Sequence, residues 1–298
     1  MPSPSSHLFS AALRLSGRKK RLADAQSLHR ALASRRAQDA RSTPPQSLHR
    51  SMTVTMEHQR GWECYRLVPR GSAGVSKRVL YLHGGAYVAE ISAIQWRAIA
   101  KIAAAASAEV VVPIYPLAPS ATAEETVATA ADITAGLLAD ATRSLDVVGD
   151  SAGGGMVLAV LQQLRDRGLP QPRRAILVGP WLDTTMSNPA ITALAPRDVM
   201  LDVGGLAEAG RLYAGGLAAT DPRVSPLYGE LKGLAPIAMF SGTADLVNAD
   251  AHALLENAAD AGVDIDYYEC VGGQHCYPFL PTREGKQART QIVTLLTE

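Results

Sequence analysis

Short apolar runs alternate with longer stretches of helical periodicity over most of this chain. The apolar runs show little polar–apolar alternation, which is typical of strands buried on both faces of a parallel sheet. Their alternation with helices predicts βαβ units and an α/β fold. The predicted strands lie at 79–82, 110–114, 145–148, 175–178, 237–240 and 265–268, the last being the most amphipathic, and the predicted helices at 94–106, 123–139, 152–167, 248–261 and 284–296.

Two segments before this region have a different pattern. Residues 53–56 and 63–67 alternate between apolar and polar side chains, which predicts antiparallel strands at an edge of the sheet. The alternation of strands and helices is interrupted between Trp181 and Gly216, where the sequence contains no strand although the alternation predicts one. An insertion at the carboxyl edge of a parallel sheet lies where ligands bind, so we interpret residues 182–216 as a cap insertion.

The N-terminal segment is basic and rich in alanine, with Leu15, Leu22, Leu28 and Leu32 at helical spacing. It fits a basic amphipathic helix on an anionic membrane, and it fits helices that fold back over a binding site. The narrow, alanine-rich stripe favours the second interpretation. We therefore predict cap helices at 1–45 and a main domain at 46–298.

Composition limits the classes of partner. Hydrophobic residues make up 47% of the 298, which permits a large core, and a net charge of +1 gives no indication of a nucleic-acid partner. Three cysteines are too few for a disulfide framework or a zinc site. No apolar run is long enough to span a bilayer, and Arg14 and Arg18 interrupt any secretory signal. We expect a cytoplasmic protein; peripheral membrane contact and a homo-oligomer both stay open.

A candidate nucleophile, Ser151, follows the strand at 145–148. It lies within Gly149-Asp150-Ser151-Ala152-Gly153, between a predicted strand and a predicted helix. A serine on such a sharp turn requires glycines on both sides, and the following helix directs free N–H groups at the site. A phosphate-binding loop does not explain the pattern, because the lysine that follows the glycines in such loops is missing.

A second glycine-containing loop, His83-Gly84-Gly85-Ala86, follows the strand at 79–82. Backbone N–H groups of Gly84, Gly85 and Ala152 are the predicted donors to a developing oxyanion. We interpret His83 as a residue that braces this loop through hydrogen bonds.

A serine nucleophile needs a base and a carboxylate that orients it. Asp245 follows the strand at 237–240, and His275 follows the last strand, so the chain order is serine, acid, histidine. Asp183 is an alternative acid, and Asp250 is expected to cap a helix or brace its loop.

These motifs resemble the hormone-sensitive lipase family of α/β-hydrolases, from about Lys77 to the end of the chain. The resemblance rests on His83 to Tyr87, on Gly149 to Gly154 and on Asp221-Pro-Arg-Val-Ser-Pro-Leu227. The chain departs from the family at Tyr115-Pro-Leu-Ala-Pro-Ser120, which lacks an Arg and a Glu, and after Asp245, where a proline is missing. The resemblance implies an eight-stranded, mostly parallel sheet with a small helical cap.

The same resemblance implies a carboxylesterase that needs neither cofactor nor metal. The expected substrates are small esters with short to medium acyl chains, and we expect Tyr87, Asp150 and Trp181 to contact them. Three alternatives stay open: a lipase for longer chains, an amide deacetylase, and a binding module without catalysis. The presence of His275 argues against the last of these, because the receptors of this family lack that histidine.

Overall fold

The computed structural model describes residues 2–36, 42–71 and 75–298, and an eight-stranded sheet lies at its centre. Every predicted strand is present, extended by a few residues. The strands are β1 (Met52–Gln59), β2 (Trp62–Pro69), β3 (Lys77–Leu82), β4 (Glu109–Ile114), β5 (Ser144–Asp150), β6 (Arg174–Val178), β7 (Ile237–Gly242) and β8 (Ile265–Cys270).

The strand order is β1-β2-β4-β3-β5-β6-β7-β8. β2 runs antiparallel to β1 and β4, and all other neighbours are parallel. The prediction of a mostly parallel sheet with antiparallel strands at one edge is confirmed. The parallel strands bring the loops after β3, β5, β7 and β8 to the same edge of the sheet.

Two apolar cores cover the faces of the sheet. Successive side chains of a strand point to opposite faces, so Val79 and Tyr81 join one core while Leu80 and Leu82 join the other. The helices are α1 (Pro4–Leu15), α2 (Ala25–Arg36), α3 (Ala93–Ala106), α4 (Ala123–Leu138), α5 (Ala152–Asp166), α6 (Ile191–Leu194), α7 (Val203–Ala214), α8 (Asn248–Asp260) and α9 (Arg283–Thr297). α3 and α9 pack on one face, and α4, α5 and α8 on the other.

The N-terminal segment is not one continuous helix. Gly17, at φ 66°, follows α1, and a short 3-10 helix at 19–22 leads to α2. Leu28 is buried and Leu22 packs on the core, whereas Leu15 stays exposed. The predicted leucine stripe is therefore divided between two surfaces. Residues 37–41 of the predicted cap segment lie outside the described residues.

The N-terminal segment packs closely on the insertion. α2 lies against α7, and a Cβ at Gly205 would stand 2.5 Å from the carbonyl oxygen of Leu22. Only glycine permits this approach of the two backbones.

Over the described ranges, every helix is too short or too polar to cross a membrane.

Candidate active site

Ser151 lies on a strained turn between β5 and α5, with φ 54° and ψ −122°. The flanking positions must be glycine, because a Cβ atom at either one would overlap a backbone carbonyl oxygen. A Cβ at Gly149 would stand 2.3 Å from the carbonyl oxygen of Gly153, and one at Gly153 would stand 2.1 Å from that of Leu82. The turn can therefore form only where both positions lack side chains, and it exposes the serine hydroxyl at the edge of the sheet.

The structure brings Ser151, His275 and Asp245 into one hydrogen-bonded chain. His275 Nε2 lies 2.8 Å from Ser151 Oγ, and His275 Nδ1 lies 2.9 Å from Asp245 Oδ2. With Nδ1–H donating to the carboxylate, Nε2 is left to accept the serine proton. This is the geometry in which the histidine can act as a general base.

Burial and the neighbouring carboxylate act in opposite directions on His275. Burial disfavours the charged imidazolium and lowers the pKa, but the adjacent Asp245 carboxylate more than offsets this effect. The pKa of His275 consequently lies well above its ordinary value of 6.5. The side chain of Asp245 is fully buried, so its charge is poorly screened by solvent.

The backbone N–H of Gly84 is already occupied by another acceptor. It donates to Asp150 Oδ1 at 2.9 Å, and the hydroxyl of Tyr81 and the amide of Gln95 donate to the same carboxylate. Burial raises the pKa of Asp150 above its ordinary value, while these hydrogen bonds favour the charged form. The prediction for Gly84 is therefore corrected: this residue positions the loop instead of donating to an oxyanion.

Three other N–H groups remain for a developing oxyanion. Within the described part of the chain, the N–H groups of Gly85, Ala86 and Ala152 have no acceptor within hydrogen-bonding distance. Gly85 has φ 142°, and a Cβ there would meet the Ala89 carbonyl oxygen at 2.2 Å. Ala86 is a donor candidate that the sequence reasoning missed, although its place directly after the glycine pair was a signal.

His83 fits the predicted bracing interaction. Its Nδ1–H donates to the Gly84 carbonyl at 2.9 Å, and its ring stacks on Tyr115, whose hydroxyl donates to the His83 carbonyl. Complete burial lowers the pKa of His83 to about 4, so the imidazole is neutral near pH 7.

A cavity of about 310 Å³ opens beside Ser151 and His275. Its apolar wall comes from three places: the N-terminal segment, the insertion and the loops near Ser151 and His275. The larger apolar residues are Leu22, Leu28, Leu32, Val88, Ile94, Met200, Leu201, Leu206, Phe279 and Leu280, and Arg18, Arg21 and Glu90 add charge.

A family model for the α/β-hydrolase fold matches residues 79–279. The chain belongs to this family. A triacylglycerol lipase of Mycobacterium tuberculosis is 31% identical over 76% of this chain, which spans only about half (48%) of that relative's length. An acetyl-hydrolase of Streptomyces hygroscopicus is 32% identical, over 71% of this chain and 72% of that protein.

The structural match extends over the whole chain. A crystal structure of an esterase from the bacterial hormone-sensitive lipase family superposes with a TM-score of 0.82, at 30% identity, covering 100% of this chain and 98% of that one. The resemblance to the hormone-sensitive lipase family is therefore confirmed for this α/β-hydrolase.

Of the three residues predicted to contact substrate, two lie outside the cavity and the third accepts hydrogen bonds from the protein. Tyr87 and Trp181 are buried, stack on each other and do not line the cavity of this α/β-hydrolase. Their positions do not support the predicted contact, because tertiary packing already covers both rings. Asp150 borders the cavity, but its oxygens accept the hydrogen bonds described above.

The alternative acid, Asp183, forms no hydrogen bond with His275, whose Nδ1 contacts Asp245. It accepts hydrogen bonds from Thr185 and from the hydroxyl of Tyr228 instead. Asp250 accepts from the Asn188 amide at 3.0 Å, so it links α8 to the insertion, and burial raises its pKa to about 7.

Asp198 connects the insertion with the loop that holds Asp245. Its Oδ2 accepts from the N–H of Leu246 at 2.9 Å, and its Oδ1 accepts from the N–H groups of Met200 and Leu201. Burial and the nearby charge of Asp245 raise the pKa of Asp198 to about 6. No periodic pattern or motif marked this residue in the sequence.

The neighbours of Asp198 extend the same connection. Gln274, directly before His275, accepts from the N–H of Val199 at 3.1 Å and donates to the carbonyl of Arg197. Lys19 donates to the Asp198 carbonyl at 2.9 Å. One stretch of the insertion thus contacts the Asp245 loop, the His275 loop and the N-terminal segment.

Asp198→Ala is expected to lower the free energy of unfolding by at least about 2 kcal/mol, because it leaves buried N–H groups without acceptors. Urea denaturation followed by circular dichroism measures this change. Asp260→Ala, at an exposed position near the end of α8, is the control and should stay within about 0.5 kcal/mol of the parent. Equal stability of the two variants would contradict the assigned role of Asp198.

Proposed function

We propose that this α/β-hydrolase is a serine carboxylesterase for carboxylic esters with short to medium acyl chains. The observation that carries the proposal is the hydrogen-bonded series from Ser151 Oγ through His275 to Asp245, beside a largely apolar cavity. The relatives named triacylglycerol lipase and acetyl-hydrolase support the same reaction class.

In the proposed first half-reaction, Ser151 Oγ attacks the ester carbonyl carbon while His275 Nε2 takes the hydroxyl proton. The carbonyl oxygen becomes an oxyanion, which the N–H groups of Gly85, Ala86 and Ala152 stabilise. His275 then gives its proton to the leaving alkoxide, and the alcohol departs. The acyl group stays on Ser151.

The second half-reaction uses the same groups with water. His275 accepts a proton from a water molecule, whose oxygen attacks the acyl-enzyme carbonyl. Collapse of the tetrahedral intermediate breaks the bond to Ser151 Oγ, which regains a proton from His275. A carboxylic acid is released, and the enzyme returns to its starting state without a metal or cofactor.

We propose residues 1–45 and 182–216 as a two-part cap. Leu22 and Leu28 from the first part and Met200 and Leu206 from the second line the cavity. Such walls bind an acyl chain by burying apolar surface until the chain meets the far side. We also propose a cytoplasmic location, which the three free cysteines support.

A series of p-nitrophenyl esters from acetyl to palmitoyl tests the acyl preference. We expect kcat/KM to rise about fourfold per added methylene, reach a maximum between butanoyl and octanoyl, and then fall as the cap limits the chain. Parallel assays with p-nitroanilides measure amide cleavage, which we expect to be much slower. A rate that increases steadily to palmitoyl would instead indicate a lipase.

A fluorophosphonate probe tests the serine chemistry directly. We expect one covalent adduct, on the peptide that contains Ser151, together with loss of ester hydrolysis. Mass spectrometry of the digested protein locates the adduct. A protein that binds esters without cleaving them would remain unlabelled at Ser151, and that result would favour the non-catalytic binding module.

A further inference from the structure

Helix α1 carries apolar side chains on two opposite faces. Phe9 and Leu13, on the inner face, are half-buried, and Leu13 packs on the core. The outer face consists of residues at i, i+3, i+4 and i+7, which form one stripe along a helix. We call this set the outer stripe: Leu8, Ala11, Ala12 and Leu15, all exposed.

The exposure of the outer stripe is large and is fixed by the protein. Leu8 is 75% exposed and Leu15 is 89% exposed. The backbone N–H and hydroxyl of Ser3 donate to the carboxylate of Glu284 on α9, at 2.6 and 2.8 Å. The start of α1 is thereby tied to α9, so the helix presents this stripe outward in the folded state.

A basic cluster continues directly from the outer stripe. Residues 1–23 contain no Asp or Glu. The basic cluster consists of Arg14, Arg18, Lys20 and Arg21, which are all exposed. Among the described residues, no Asp or Glu forms an ion pair with any of the four. The whole chain has 29 Lys and Arg against 28 Asp and Glu. Residues 1–36 hold eight of the basic residues and one of the acidic residues, so residues 37–298 carry a net negative charge.

This basic cluster adjoins the cavity that contains Ser151. Arg18 and Arg21 line the cavity, as do Leu22, which directly follows them, and Leu28 in α2. A surface that contacts the outer stripe and the basic cluster would consequently lie beside the opening through which an apolar chain enters.

We propose that the outer stripe and the basic cluster dock this protein on an anionic lipid bilayer. Apolar side chains beside Lys and Arg on one helical segment are the combination that binds an anionic membrane interface. A symmetric contact between two copies through this face would bring like charges together, which disfavours a dimer here. A soluble polyanion would leave Leu8 and Leu15 uncovered.

Co-sedimentation of the full chain with vesicles tests the proposal. We expect binding to one-to-one phosphatidylcholine and phosphatidylglycerol vesicles, little binding to phosphatidylcholine alone, and weaker binding at high salt. The double variant Arg14→Glu with Lys20→Glu should reduce binding roughly thirtyfold. Leu8→Ser with Leu15→Ser should reduce it roughly tenfold or more.

Lys101→Glu with Lys232→Glu is the matched control, because it makes the same charge change at exposed positions outside the cluster and should leave binding intact. Binding is measured without any substrate, so the result is independent of the proposed esterase activity. Hydrolysis of soluble p-nitrophenyl acetate should be unchanged in every variant, which shows that each one is folded.

Three results would overturn the proposal. The first is equal binding to neutral and anionic vesicles, or no binding to either. The second is loss of binding in the charge variant with no effect of the leucine variant, which indicates a soluble polyanion. The third is a dimer in size-exclusion chromatography that the leucine variant converts to a monomer, which indicates that a second copy covers the stripe.

Discussion

Ser151→Ala is expected to lower kcat for p-nitrophenyl butyrate about 10⁶-fold. The substitution removes the hydroxyl that His275 Nε2 contacts at 2.8 Å, so no acyl-enzyme can form. The N–H groups around the site would still stabilise an oxyanion, and a residual rate of about 10³–10⁴ times that in water is expected from them. Stopped assays with high enzyme concentration measure the residual rate.

The fold should tolerate this change, because the missing oxygen lies at the surface of a cavity and the neighbouring glycines are unaltered. Ser187→Ala, in the insertion, serves as the control and should keep kcat within about threefold of the parent, as surface substitutions usually do. Fluorophosphonate labelling should disappear in the Ser151 variant and persist in the control. Appreciable turnover by Ser151→Ala, with unaltered thermal unfolding, would refute Ser151 as the nucleophile.

The meeting of Ser151, Asp245 and His275 could be predicted because it depends on general features of parallel sheets. Each residue follows the carboxyl end of a strand, and those ends share one edge whatever the lengths of the intervening helices. The glycine requirement around Ser151 is local, so the sequence alone indicates it. The strands themselves were evident because burial on both faces removes polar residues from them.

The details of the loop at residues 83–86 depend on tertiary contacts that no local pattern contains. Gly84 and Asp150 are far apart in the chain, and only the pairing of β3 with β5 brings the N–H of one to the carboxylate of the other. The sequence therefore indicated a donor-rich loop but not which N–H groups stay available. Ala86 became a candidate only once the Gly84 N–H was known to be engaged.

The proposed cap was the least predictable part for a related reason. Its residues lie in short helices and irregular segments whose positions are fixed by contacts such as those of Asp198 with Leu246 and of Gly205 with Leu22. These contacts join parts of the chain that have no common periodicity. Composition and leucine spacing could indicate that the N-terminal segment was basic and helical, but they could not divide its leucines between a buried wall and an exposed stripe.

Asp245→Asn is expected to lower kcat about 10⁴-fold while leaving the fold intact. An asparagine amide can donate to His275 Nδ1, which favours the tautomer with its proton on Nε2. That tautomer has no lone pair directed at Ser151 Oγ and cannot accept its proton. The carboxylate charge that stabilises the imidazolium during the reaction is lost as well.

The pH profile distinguishes this role of Asp245 from a purely structural one. His275 must be neutral to act as a base, so kcat/KM of the parent should fall as the pH drops through the pKa of His275, which lies well above 6.5. Without the carboxylate, burial dominates and lowers that pKa, so the acidic limb of the profile should move to lower pH in Asp245→Asn. Asp183→Asn replaces the alternative acid and should keep the parental profile, with kcat within about tenfold. If Asp183→Asn instead shifted the acidic limb and Asp245→Asn did not, Asp183 would be the group that orients the histidine.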